Sequence, residues 1–249
     1  IDWEHVNPMT GPVAVVGAEP GDVLKLHVDS IELAPQGIVI AMPGAGVLGS
    51  SIETAISRHV PIEAGEAIWD ERLRLPLRPM IGVIGVAPAG APAPTGMAGR
   101  HGGNLDNLSV TSGSTIYLPV SVPGALLGVG DLHALMGDGE VGVTGLEVSG
   151  RVRLQVDLLR DRKLANPLVE TEAGWMTVAS SVDLDAAVTQ AVQEMADLLA
   201  QRAPSLTSAD LSMLFSLAGD VQICQVIDSY QTARFFVPRR LLERYDITF

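Results

Sequence analysis

The chain has 249 residues, 47% of them hydrophobic and only 4% aromatic, with 26 glycines and 16 prolines. That composition excludes a disordered polymer and supplies enough aliphatic side chain for one large domain or two small ones. A formal net charge of −13, with scattered arginines, excludes the basic footprint of a nucleic-acid binder and points away from anionic substrates, toward a neutral or cationic small molecule.

Cys224 is the only cysteine, which excludes an intrachain disulfide and a thiolate zinc cluster. No apolar run reaches the ~18 residues that a membrane span needs, so no membrane partner is expected. No signal peptide is visible, and a cytoplasmic location is expected. The first residue is Ile1, not Met, which reads as a trimmed, processed or renumbered chain.

Short strands dominate the first two-thirds. VAVVG (13–17) is an apolar strand candidate before the turn-prone EPGD. Leu24, Leu26 and Val28 alternate with Lys25, His27 and Asp29, the period of a half-buried strand. GIVIAM (37–42), IGVIGV (81–86) and STIYLPVSV (114–122) follow. GRVRLQVDLL (150–159) has the cleanest alternation, with Val152, Leu154, Val156 and Leu158 on one face. Helices gather late. Residues 183–202 carry one apolar stripe, capped by Asp183 or Asp185. A second helix starts at Thr207, with Asp210 as its capping-box partner, and stops near Gly219. VQICQVI (221–227) reads as a strand, with Cys224 a buried, inert thiol inside it. Strands first and helices second predict an α+β chain that is predominantly β. Its parts are 1–86, β-rich; 87–160, glycine-rich and carrying the site motifs; and 161–249, α+β. Together they can form one compact unit.

Residues 87–107, APAGAPAPTGMAGRHGGNLDN, are too rich in Pro, Ala and Gly and too long for an ordinary connection. The segment ends in His101, Asn104 and Asp106. GAGVLG (44–49) is a literal G-x-G-x-x-G after a strand candidate, and SSIETAIS beyond it can open a helix. Without repeated βαβ units, a glycine loop is favoured over a dinucleotide site.

The stretch GDLHALMGDGE (130–140) concentrates Asp131, His133, Asp138 and Glu140 among three glycines. On an extended strand Asp131 and His133 share a face, as do Asp138 and Glu140. An Asp-Gly turn at 138–139 can fold the pairs together. Carboxylates around one point repel unless a cation sits among them or some are protonated. An imidazole with hard carboxylates suits Zn²⁺, Mn²⁺ or Fe²⁺. The competing reading is a polar hairpin with solvated acids, and the spacing alone does not decide between them.

HVNPMTGPVAVVGAEPGD (5–22), GVIGVAP (82–88), HGGNLDN (101–107), GSTIYLPVSVPGALLGVGDLHALMGDGEV (113–141), GLEVSGRVRLQVDL (145–158) and LAGDVQICQV (217–226), in this order, resemble the acetamidase/formamidase family. The resemblance implies a β-sandwich part and a small β-barrel part followed by an α+β part. It implies hydrolysis of a small neutral amide, or a lactam, to carboxylate and ammonia or amine. The family is similar to metal-dependent enzymes, with Zn²⁺ the expected cofactor. By that match Asp106, Asp131 and His133 are the metal ligands, with His101 a further one. Glu140 or Glu147 is the acid/base. Gly103 and Asn104 are the substrate-side candidates, and Glu19, Asp138 and His5 complete the list. A homo-oligomer is expected, a dimer first. Family members carry a further stretch before H-x-x-N-P-x-T-G-P, whereas four residues precede His5 here. A separate N-terminal chain fragment is therefore a candidate partner. The alternative function is a non-catalytic member of the same fold with a structural cation or a bound ligand.

Overall fold

The computed structural model describes residues 6–249. In chain order the described residues form strands β1 (Met9–Val13), β2 (Val23–Leu33), β3 (Gln36–Ala41), β4 (Ile56–Glu63), β5 (Glu66–Ile68), β6 (Arg74–Pro76), β7 (Met80–Gly85), β8 (Ala98–Gly99), β9 (Gly102–Asn104), β10 (Thr115–Pro119), β11 (Leu127–His133), β12 (Gly150–Leu159), β13 (Leu168–Glu170) and β14 (Gly174–Ser181). Helices α1 (Leu184–Arg202) and α2 (Ser208–Ala218), strands β15 (Asp220–Gln225) and β16 (Gln231–Pro238) and helix α3 (Arg239–Arg244) complete the chain.

The strands make three sheets with the orders β1-β11-β7-β9-β8, β12-β2-β10-β13-β14-β16-β15 and β3-β4-β5-β6. The first two face each other as a sandwich. Leu24, Leu26 and Val28 of β2 and Ile116 and Leu118 of β10 share one core with Ile81 and Ile84 of β7 and Leu127 and Leu132 of β11. The alternation read in β2 is thus the buried face of one layer. The C-terminal half of the seven-stranded sheet covers a second core, where α1 packs on β14 and β16. Met195 and Leu199 of α1 are fully buried there, each contributing roughly 1.5–3 kcal/mol of burial. The mostly-β architecture with a C-terminal α+β part is the expected one. The sheets cross the boundaries at 86 and 160, since β10 pairs with β2 on one side and with β13 on the other.

Local signals set the helix ends. Asp183 Oδ1 accepts from the Ala186 amide at 2.8 Å, and Thr207 and Asp210 form a reciprocal capping box. Gly219 ends α2. Cys224 is fully buried, and burial pushes its thiol up to about 11.

Two expectations are corrected. VAVVG is not a strand beyond Val13. Its Val15 amide donates to Gly124 O at 2.8 Å, and Val16 is 99% exposed, so the apolar run crosses a loop. GAGVLG opens no helix but a single 3-10 turn, Gly49–Ser51, followed by β4. A Cβ at Gly46 would lie 2.7 Å from Val141 O. The glycine is there for close backbone approach to residues 141–142, and the dinucleotide reading falls. No helix among the described residues is long and apolar enough to cross a membrane.

Candidate metal centre

Strand β11 carries Asp131 and His133 at its end, in antiparallel register with β7. Asp131 lies between the Gly130–Val83 and Leu132–Ile81 pairs, across from Gly82. Its φ is +55°, a left-handed kink that aims the carboxylate inward. Gly82 is required at this point. A Cβ there would lie 2.7 Å from both Asp106 Oδ1 and Asp131 Oδ2. Asp106 follows β9 and is anchored by its amide, which donates to Gly82 O at 3.2 Å. Glu147 exchanges two main-chain hydrogen bonds with Ile38 of β3, each 2.8 Å, and bridges His133. Glu140 follows a turn closed by its own amide donating to Gly137 O at 3.1 Å.

His133 is the centre of the cluster. Its Nε2 lies 3.1 Å from Glu147 Oε1, 3.7 Å from Asp131 Oδ2 and 3.9 Å from Glu140 Oε1. Two triads share the imidazole: Asp106–His133–Glu140 and Asp131–His133–Glu147, with the donor atoms of each within 4.8 Å of one another. Room for the ring comes from Gly145, where a Cβ would lie 2.6 Å from His133 Nδ1.

Burial differs between the triads. The His133 and Glu140 side chains are 1% and 4% exposed, whereas Asp131 and Glu147 are 10% and 26% exposed. The latter two line an open cavity of about 1120 Å³ with Ile38, His59, Leu132 and Val148. The inner triad is closed and the outer one faces solvent.

Both carboxylate oxygens of Asp106 are buried without a hydrogen-bond partner, and neither ring nitrogen of His133 makes an aligned hydrogen bond, although Glu147 Oε1 lies 3.1 Å from Nε2. Such groups cost ~1–3 kcal/mol each, more when charged, unless something satisfies them. Among the described residues no Lys or Arg pairs with any of the four carboxylates. Burial, then the charge of Glu140, holds the Asp106 carboxyl well above its usual range. Burial pushes Glu140 up to about 8 and raises Glu147 as well. Burial opposes a charged His133, yet Asp131 and Glu147 prevail and raise its pKa well above the ordinary value. Hard oxygens and one imidazole, short of positive charge, fit a divalent ion.

The structure therefore joins Asp106, Asp131, His133, Glu140 and Glu147. It does not bring Asp138, His101 or Glu19 to them. Asp138 points away and takes Arg234 Nη2 at 2.7 Å. The predicted turn at 138–139 delivers Glu140 alone, because residues two apart share a face only on an extended strand. His101 lines a separate, largely apolar cavity of about 590 Å³, together with Gly103, Val83, Pro94 and Leu126. Burial lowers its pKa, as expected of an imidazole outside a carboxylate cluster. Glu19 is exposed on a turn closed by Asp22, whose Oδ2 accepts from the Glu19 amide at 3.0 Å. His5 lies outside the described residues.

Asn104 is 4% exposed, and its amide is engaged on both sides. Its Nδ2 donates to Asp228 Oδ2 at 2.7 Å and its Oδ1 accepts from Asn7 at 3.0 Å. Asp228 is a functional candidate the sequence reading missed. Burial raises its pKa, and the charge of Asp131 adds to the rise. The quoted motif LAGDVQICQV stops two residues short of it.

A family model described as the Acetamidase/Formamidase family matches residues 90–242. The chain belongs to that family. A "predicted acetamidase/formamidase" of known structure from Thermoanaerobacter tengcongensis is 48% identical to it. That alignment covers 100% of this chain and 82% of the other, with a TM-score of 0.97. An acetamidase structure from Bacillus halodurans is 44% identical, over 99% of this chain and 83% of its own, with a TM-score of 0.96. The acetamidase of Mycolicibacterium smegmatis is 30% identical over 64% of this chain and 55% of its own length. The chain thus spans about half the length of the curated relatives it matches.

Proposed function

We propose that the protein hydrolyses the C–N bond of a small neutral amide, RCONH₂ + H₂O giving RCOOH + NH₃, with a divalent ion held at His133. The observation that carries this reading is the buried pair Asp106 and His133, neither with an aligned hydrogen bond, ringed by three further carboxylates in a member of the acetamidase/formamidase family. The names of the relatives supply the substrate class: acetamidase and formamidase.

The inner triad, Asp106, His133 and Glu140, is the core of the ligand set, because it is the more deeply buried of the two and both Asp106 oxygens lack a hydrogen-bond partner. The chemistry that a divalent ion supplies when bound is a lowered water pKa, to about 7, and a polarised carbonyl. One outer carboxylate serves the proton transfers. Glu147 stands at the cavity and its raised pKa suits a group that takes a proton from attacking water and returns one to the departing nitrogen. Asp131 Oδ2, 3.7 Å from His133 Nε2, is placed as a further ligand at the solvent side of the ion. The zinc identity, the cytoplasmic location and a dimeric state belong to the same reading. A native mass measurement tests the last, and also detects a second chain fragment.

The test of function is elemental analysis of the purified protein, with ammonia release from short amides and lactams before and after chelation. Bound divalent metal near one per chain, with activity lost on chelation and regained on re-addition, supports the proposal. Full turnover in metal-free protein overturns it. Bound metal without turnover of any amide favours the non-catalytic alternative.

A further inference from the structure

We propose that Arg234 is a positioning residue of the metal centre, acting through Asp138 to hold Glu140 against His133. The inference rests on the reading of Glu140 as a ligand.

The stretch Gly137–Asp138–Gly139 that delivers Glu140 has little to hold it by itself. Gly137 and Asp138 are exposed, and Gly139 has a φ of +93°. Glycines on both sides of Asp138 leave the backbone free in many conformations. Glu140 is nonetheless buried, at a φ of +43°. Its placement has to be imposed from outside the turn.

The anchor lies on the C-terminal hairpin. Arg234, on β16, is 4% exposed. Its Nη2 donates to Asp138 Oδ2 at 2.7 Å, its Nε to Gln222 Oε1 at 2.7 Å and its Nη1 to Cys224 Sγ at 3.5 Å. Asp138 is its only carboxylate partner among the described residues. A guanidinium buried this far is costly unless paired, so the pair is held firmly in one geometry. Two main-chain bonds extend the attachment. The Gly139 amide donates to Cys224 O at 3.0 Å, and the Val226 amide donates to Gly139 O at 3.1 Å. The turn is therefore strapped to β15 and to the residue that follows it. Glu140 is the next residue and has no freedom to leave. Groups that orient a ligand from behind are typically worth about 10–100-fold in metal affinity.

The experiment uses the full chain and the variants D138N, R234M, R234K and the double D138N/R234M. Zn²⁺ affinity is measured by competition with a chromophoric chelator, the ligand field by the visible spectrum of Co²⁺-loaded protein, and folding by circular dichroism. D138N and R234M should each weaken Zn²⁺ binding about 10–100-fold and alter the Co²⁺ spectrum, with secondary structure intact. The double variant should bind no more weakly than R234M, because both changes break one strap. R234K should recover part of the loss. Asp138 is at the surface, so D138N tests the strap even where R234M does not fold. Affinity within twofold of wild type and an unchanged Co²⁺ spectrum in D138N overturn the proposal, as do losses that simply add in the double variant. A wild-type chain that binds neither ion overturns the ligand reading itself, which separates that failure from a failure of the strap.

Discussion

Adding one methyl group at Gly145 should displace the centre of the cluster. The backbone there is ordinary, so an alanine meets no conformational penalty, only His133. Its Cβ would lie 2.6 Å from Nδ1, 2.8 Å from Cγ and 3.2 Å from Cε1. Comfortable contacts between such atoms begin at about 3.5 Å, so the ring or the 145 backbone must move by about 1 Å. Overpacking of this kind costs about 1–3 kcal/mol, and a 1 Å misplacement of a reacting group costs about 100-fold in rate. Gly137, eight residues earlier, is the matched control. A Cβ there meets nothing within 4 Å. Both variants lose the same glycine entropy in the unfolded chain, so their difference isolates the contact with His133. Urea denaturation and ammonia release, run side by side, should show G137A close to wild type. G145A should be about 1–3 kcal/mol less stable than G137A and about 100-fold slower. Wild-type turnover and zinc affinity in G145A would refute the placement of His133 at the centre.

Four further outcomes follow from the geometry. E147Q should keep its metal content but lose about 10²–10⁴ in kcat, since the amide cannot take the water's proton; unchanged turnover would move that role elsewhere. Metal-free protein should lose stability as pH rises from about 4.5 to about 8. Over that window folded Glu140 keeps a proton that the unfolded chain releases, so rising pH favours unfolding. His133 acts in the same direction, because its protonated form stabilises the fold below 6.5 and that contribution fades as pH passes its raised pKa; denaturation midpoints that climb with pH would contradict both. Saturating zinc should raise the melting temperature in a concentration-dependent way, about 2.7 kcal/mol at one hundred times Kd, and a thermal shift series checks it. T207A should cost about 1 kcal/mol through the lost cap of α2 while leaving zinc affinity unchanged.

What could be read from the sequence was what the chain decides within a few residues. The Thr207–Asp210 box and the Asp183 cap act over three positions, and both were legible. The alternation of residues 150–159 named β12 because a half-buried strand repeats every second residue. Asp131 and His133 were legible as a pair for the same reason. VAVVG failed because an apolar run does not say whether it is covered, and Val16 is not. Asp138 was misplaced because its partner, Arg234, lies 96 residues away. Asp228 was invisible because the contact that marks it, with Asn104, spans 124 residues. Pairings at that distance are made by sheet topology, which periodicity does not encode.

The order in which the strap is joined has a consequence for biosynthesis. Asp106, Asp131, His133, Glu140 and Glu147 leave the ribosome well before Arg234, and β7, β9 and β11 can pair without it. A nascent chain can thus gather its acidic side chains while Glu140 still swings on a glycine hinge. On the proposed strap, that hinge closes only when β15 and β16 pair onto the edge of the seven-stranded sheet, so completing this layer of the sandwich and fixing Glu140 would be one event.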